Sequence, residues 1–281
     1  MIRIITDSAA DFSPQELQQR NISCIGLKVM FGDTEYEDNV NLTKDRFYEL
    51  LLAEPQLPKT SQASPQVLMD LFEDAREAGE EAIYICLSSA LSGTYQTACM
   101  TRDMTEWEGC HVFDGRNATG GQRLLVEYAC ALRDAGKTAA EILTALEDVR
   151  GRIVLFACID TLEYLYKGGR ISQTAYTLGT LANIKPIITV DPDGGIGVPQ
   201  KAMGMRKGMD ILCKLMAQHT PDPDFPVYAM YTNNRSVAEN LARKMGNVDD
   251  DHIIQVGAAI GAHIGPMPAD WSMWLQNKIS A

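Results

Sequence analysis

Apolar residues run along this chain in two rhythms. Residues 2–5 and 82–87 are short, β-branched-rich runs with little polar alternation, and they read as strands buried on both faces. Other stretches carry the period of a helix. Ser13-Pro14-Gln15-Glu16 opens one, with serine as N-cap, proline where a missing N–H costs nothing and glutamate completing a capping box. Thr43 caps a second, bearing Phe47, Tyr48, Leu50 and Leu51, after a stretch from 32 to 41 that reads as irregular. Ser64-Pro65 repeats the start signal, and Val67, Leu68, Leu71, Phe72 and Ala75 share the face that follows. Val112-Phe113-Asp114 reads as a strand end, and Thr138-Ala139-Ala140-Glu141 as a capping box ahead of Ile142, Leu146 and Val149. Alternating strands and helices predict an α/β domain with a mainly parallel sheet.

After Arg150 the pattern changes. A strand at 153–157, a short helix at 161–166, the break Gly168-Gly169 and a helix from about Gln173 lead to a hairpin: 186–190, the turn Pro192-Asp193-Gly194-Gly195, then 196–198. That antiparallel feature is absent from the predicted first half. A strand at 227–231, a helix at 236–245 and a strand at 253–256 complete an α+β unit. The expectation is two domains, residues 1–155 and 156–281.

Size and charge then narrow the classes. With 281 residues, 46% hydrophobic and 22% charged, the chain has material for one large or two medium cores. Its 25 Lys and Arg against 37 Asp and Glu leave −12, which repels phosphate backbones and anionic head groups, so nucleic acid and membrane surfaces are poor partners. No apolar stretch approaches the roughly 18 residues of a membrane span, so no stable membrane insertion is expected. The start, Met1-Ile2-Arg3-Ile4-Ile5-Thr6-Asp7, turns acidic before a signal-peptide core can form. Seven scattered cysteines without a CxxC pair suggest neither a disulfide framework nor a zinc site. The expectation is a cytoplasmic protein without metal or cofactor.

Three segments could carry chemistry. In Ile85-Cys86-Leu87-Ser88-Ser89-Ala90-Leu91-Ser92-Gly93-Thr94-Tyr95 an apolar strand ends in hydroxyls before a helix, and ligands of parallel sheets bind beyond strand ends, at helix N-termini. This is an anion site, or Ser92 or Thr94 merely caps the helix. Pro58-Lys59-Thr60-Ser61-Gln62-Ala63-Ser64-Pro65 is a second hydroxyl-rich loop, structural or convergent on the same ligand. Among four histidines, His219 and His252 lie in polar surroundings and read as solvated, while His263 sits in the apolar, glycine-bearing stretch 256–266, as a core residue or a ligand contact. Lys167-Gly168-Gly169-Arg170-Ile171-Ser172 lacks the phosphate-loop spacing and reads as a turn between helices, and no GxSxG, HExxH or GxGxxG occurs.

Taken in order, Thr6-Asp7-Ser8 with Asp11, Thr60-Ser61-Gln62, Leu87 to Tyr95, Lys167 to Ser172 and Ala262-His263-Ile264-Gly265 resemble the DegV family across residues 6 to 265. The resemblance implies a two-domain α/β protein with a long-chain fatty acid buried between or beside the domains, its tail in an apolar tunnel. In bacterial fatty acid kinase systems the family supplies the FakB-type subunit, which presents the carboxylate to a separate kinase that makes the acyl phosphate. Carried over position by position, the carboxylate contacts fall on Thr60 and Ser92, with Ser61 and Gly93 alongside, and on His263; Arg170 falls near the head-group entrance. Two departures stand out. Kinase-partnered members carry an arginine where Met203 stands in Lys201-Ala202-Met203-Gly204-Met205-Arg206, and the family's His-x-Gly-x-Gly becomes His263-Ile264-Gly265-Pro266-Met267.

A binding protein is the leading reading, because hydroxyls and one imidazole satisfy a carboxylate by hydrogen bonds. The competing enzyme is a serine hydrolase with Ser92 as nucleophile and His263 as base, which needs an orienting acid, Asp7 being the candidate, and an oxyanion hole. A nucleotide-binding regulator resting on Lys167 to Ser172 is the weakest reading.

Overall fold

In the computed structural model, which describes residues 1–177, 183–246, 248–266 and 273–277, the first strand, β1 (Ile2–Asp7), leaves Ile4 and Ile5 with no exposed surface. Helix α1 (Pro14–Gln19) starts with the predicted capping box of Ser13 and Glu16. β2 (Ile22–Ile25), β3 (Lys28–Phe31) and β4 (Thr34–Glu37) follow, then α2 (Lys44–Ala53), β5 (Lys59–Ser61), α3 (Pro65–Glu77), β6 (Glu81–Cys86), α4 (Thr94–Thr105), β7 (Cys110–Asp114), α5 (Thr119–Asp134) and α6 (Ala139–Arg150). The second half adds β8 (Ile153–Cys158), α7 (Glu163–Lys167), α8 (Gln173–Thr177), β9 (Ile184–Val190), β10 (Ile196–Met203), α9 (Met205–Met216), β11 (Tyr228–Tyr231), α10 (Arg235–Met245), β12 (Ile253–Gln255), α11 (Ala258–Ile264) and β13 (Met273–Asn277).

The predicted parallel sheet is present, in the order β2-β1-β6-β7. Successive side chains of a strand point to opposite faces, and that alternation divides the core. Ile4, Ile83 and Ile85 pack with Leu124, Ile142 and Leu146 of α5 and α6, while Ile5, Tyr84 and Cys86 pack with Leu68 and Phe72 of α3 and Ala98 of α4. The first of these clusters continues into Leu155, Ile187, Tyr228 and Met230 of a six-stranded mixed sheet, β10-β9-β8-β13-β11-β12. α5 and α6 are thus the layer between the two sheets.

Three local expectations are corrected. The first half does contain antiparallel structure: β4-β3-β5 form a small antiparallel sheet, and β4 lies inside the stretch read as irregular. Its Thr34, Glu35, Tyr36 and Glu37 show no apolar alternation because none of them is fully buried. Ser64 stands at the N-cap of α3 ahead of Pro65, yet its side chain makes no capping bond. His219 and His252 are half-buried against the rings of Phe156 and Tyr228, with centroids 5.8 Å and 5.5 Å apart, rather than solvated.

Candidate functional site

The hydroxyl-rich stretch after β6 is pinned residue by residue. Leu87 N donates to Asp7 Oδ2 at 3.0 Å, Ser88 N to Asn117 O at 3.0 Å, and Ser89 through both its amide and its hydroxyl to Asp114. Ser88 Oγ donates to Gly194 O at 2.8 Å, tying the stretch to the turn between β9 and β10. At its end Ser92 Oγ lies 2.9 Å from Thr94 Oγ1 and accepts weakly from Thr94 N at 3.3 Å, so the capping reading holds in part. Gly93 occupies the N-cap position of α4 itself.

The Thr60 segment is strand β5 rather than a loop, held to β3 through the pairs of Val29 with Thr60 and Lys28 with Ser61. The stretch holding His263 is helix α11. Small residues let it pass close to its neighbours: a Cβ on Gly261 would lie 2.6 Å from the Phe47 ring. In the last turn, His263 Nε2 meets Thr60 Oγ1 at 2.8 Å across 203 positions of sequence. Its Nδ1 is buried with no hydrogen-bond partner and faces Gly168, where a Cβ would stand 2.3 Å away. Gly168, read from sequence as a turn residue, is therefore what admits the imidazole. Burial first, and the Arg170 cation second, lower the His263 pKa to about 4, so the ring is neutral near pH 7.

These groups meet at one cavity of about 70 Å³. Thr60, Ser61, Ser92, Arg170 and His263 form its polar end, and Leu27, Leu87, Leu91, Leu165, Ile196 and Ile260 supply apolar wall. Arg170 does not point a free guanidinium inward: Nε donates to Leu91 O at 2.9 Å and Nη1 to Gly168 O, bridging the residue before Ser92 to the glycine behind His263. Gly93 is exposed and lies off the wall, beside Gln62, whose Oε1 would meet a Cβ there at 2.1 Å. Sequence reasoning did not find Leu91, Ile196 or Ile260, which carry no signal distinguishing them from other core residues. Among the described residues, larger depressions of about 430, 570 and 440 Å³ lie elsewhere, around Lys44 and Arg123, along residues 221–227 and beside Leu241 and Lys244. They are wider and more polar, and none of these joins hydroxyls and an imidazole to an apolar wall.

No hydrolytic triad assembles. Asp7 accepts from Leu87 N, Ala9 N, the Tyr84 hydroxyl and Gln122, and has no bond to His263. Ser92 bonds to Thr94, and the nitrogen of His263 that an orienting acid would hold has no partner.

A family model for uncharacterised proteins of the DegV family matches residues 1–268. This chain belongs to the DegV family. A DegV domain-containing protein of Caldanaerobacter subterraneus subsp. tengcongensis is 33% identical over 269 residues, covering 94% of this chain and 95% of the relative. One from Clostridium perfringens is 33% identical over 272 residues, with 93% of each covered. Among solved DegV-like folds, a stearic acid-binding protein of Eubacterium ventriosum superposes with a TM-score of 0.88 at 23% identity, covering 99% of both chains. A fatty-acid-binding DegV family protein of Thermus thermophilus gives 0.85 at 24% identity, over 98% of this chain and 99% of that one. At these identities the likeness establishes the fold. Among the described residues no helix is long and apolar enough to cross a membrane.

Proposed function

We propose that this DegV protein binds a long-chain fatty acid as a carrier, with the carboxylate at Thr60, Ser92 and His263, Ser61 alongside and Arg170 at the entrance, and with Gly93, off the wall, shaping the turn that carries Ser92 rather than touching the ligand. The observation that carries this reading is the Thr60–His263 pair at the polar end of an otherwise apolar cavity. Relatives of the same fold that bind stearic and other fatty acids support it. A neutral imidazole and two hydroxyls can each donate to a carboxylate oxygen. The tail supplies most of the affinity: at about 0.8 kcal/mol per methylene, some fourteen methylenes contribute on the order of 10 kcal/mol before ordering costs. Each head-group bond contributes roughly 0.5 to 3 kcal/mol. A cavity of about 70 Å³ receives only the first carbons, so a full tail displaces side chains such as Ile196 and Leu91.

Mass spectrometry of the protein as purified from cells tests the proposal: retained fatty acid is expected, and a covalent acyl-serine or a nucleotide would overturn it. Thr60→Ala, Ser92→Ala and His263→Ala should each weaken binding by about one to two orders of magnitude at most, yet keep lipid. Ile196→Trp, which fills the apolar wall, should instead empty the site.

Two finer points belong to the same reading. Seven free cysteines, Cys24 and Cys86 among them with thiol pKa values pushed up by burial, fit a reducing cytoplasm. Presentation to a separate kinase is expected to be weak, since Met203 is 61% exposed where kinase-partnered relatives carry arginine. A guanidinium can pair with phosphate across an interface and a thioether cannot, so Met203→Arg should raise acyl-phosphate formation by a FakB-dependent kinase. Strong wild-type turnover unchanged by that substitution would exclude the point.

A further inference from the structure

α11 has seven residues, and its N-cap, Gly257, has no side chain to hold its start. Its first amides are taken by carboxylates from the far end of the chain. Gly257 N donates to Asp11 Oδ1 at 2.7 Å, Ala258 N to Asp38 Oδ1 at 3.2 Å and Ala259 N to Asp38 Oδ2 at 3.0 Å. The two residues before are held as well: Lys44 Nζ donates to Gln255 O and to Asp11 O, both at 2.8 Å, and the Tyr48 hydroxyl donates to Val256 O at 3.0 Å. Asp11 and Asp38 are 2% and 1% exposed, so solvent does not loosen the arrangement.

We infer that Asp38, assisted by Asp11 and Tyr48, is a positioning residue for the head-group site: it orients α11 and thereby sets where His263 Nε2 meets Thr60. Two oxygens on two successive amides define both the place and the tilt of the helix start, which one oxygen would not. His263 stands five residues beyond Ala258, about 7 Å along the axis at 1.5 Å per residue. A tilt of about 10° would move it by roughly 1 Å, enough to break a 2.8 Å hydrogen bond. The Thr6-Asp7-Ser8 segment lies close by, since the Ser8 hydroxyl, near enough to Asp38 to favour its charged form, accepts from Leu27 N at 3.1 Å. The functional consequence rests on the carboxylate reading above; the geometric part does not.

The test compares affinities for palmitic acid and for hexadecanol, which has the tail without the carboxylate. Asp38→Asn must turn an amide NH₂ toward one of two N–H donors, and it should weaken the acid by about five- to thirtyfold while changing the alcohol by less than about twofold. Asp11→Asn can still accept from Gly257 and donate to Thr119, and should cost the acid about threefold at most. Tyr48→Phe keeps the packing and removes only the bond to Val256, so it serves if Asp38→Asn does not fold; an acid-selective loss of about two- to fivefold is expected. Equal losses for acid and alcohol in these variants, or none, overturn the inference. His263→Asn separates the two claims. If it changes the acid-to-alcohol ratio and Asp38→Asn does not, positioning fails; if it leaves the ratio unchanged, the carboxylate reading fails. The positioning claim is then decided by the His263 ring-nitrogen resonances, whose movement in Asp38→Asn supports it and whose constancy overturns it.

Discussion

At the start of α11, Asp11, Asp38, Lys44 and Tyr48 direct their polar atoms onto backbone groups, Asp11 onto the Thr119 hydroxyl as well, whereas at its end His263 leaves Nδ1 unpartnered and joins Nε2 to a single hydroxyl. Both ends hold buried polar groups, and polarity alone does not say which one binds something. What differs is completeness. A fully satisfied cluster has no capacity left for a ligand and acts on shape, while a buried group lacking partners calls for a functional explanation. The same contrast tells the larger charged depression near Lys44 from the smaller cavity at Thr60.

The largest expected effect falls on the closed end. Lys44 exposes part of its stem but turns its ammonium inward beside Asp11 and Asp38. Lys44→Met leaves those carboxylates without this counter-charge and should cost about 3 kcal/mol of stability in urea unfolding, against less than about 1 kcal/mol for Thr60→Ala at the open end. Equal costs would erase the contrast.

Acid should then pull the two ends in opposite directions. Burial raises the Asp11 pKa to about 6, above its ordinary 3.8, so the folded protein binds a proton that the unfolded chain does not, and this group adds stability as pH falls through 6. His263, lowered to about 4 from 6.5, refuses a proton that the unfolded chain accepts, and stability is lost as pH falls from 6.5 toward 4. His263→Asn should therefore flatten the loss on acidification, and Asp11→Asn should steepen it, by roughly 1 to 2 kcal/mol each after solvent screening. Denaturant midpoints between pH 4 and pH 7 give the slopes; like-signed changes in the two variants would contradict the assignment.

The smallest effect sharpens the role of the open end. A ring with a pKa of about 4 binds ligand in its neutral form, so palmitate affinity should vary by less than about twofold between pH 6 and pH 9. A steady decline across that range would mean that a carboxylate recruits the charged imidazolium.

Much of this was legible in the chain, and for reasons that can be stated. Ser13 with Glu16 and Thr138 with Glu141 make the capping boxes their spacing predicts, because capping depends only on neighbours three residues apart. The parallel sheet was legible because Ile4, Ile5, Ile83 and Ile85 are apolar on both faces. β4 and β5 were not, since short edge strands without a fully buried residue leave no apolar rhythm. The helical state of 258–264 was hidden by its two glycine neighbours and by an N-terminus held from Asp11 and Asp38, more than 200 positions away. Thr60, Ser92 and His263 stood out only as an ordered set. Gly168 was visible as a residue, but its service to His263 is a fact of packing that no local pattern encodes.

The anchoring of α11 to the beginning of the chain also has a consequence in time. Thr60 and His263 are 203 positions apart, and Asp11 and Gly257 are 246 apart. A ribosome adding roughly 5 to 20 residues per second leaves Thr60 waiting about ten to forty seconds for the imidazole it pairs with. Until then the nascent chain has β5 and the serine-bearing turn but no lever to set His263 against them, and a chain cut short before residue 257 never acquires one. Capture of an acyl chain by its head group is thus reserved for chains whose synthesis has passed His263.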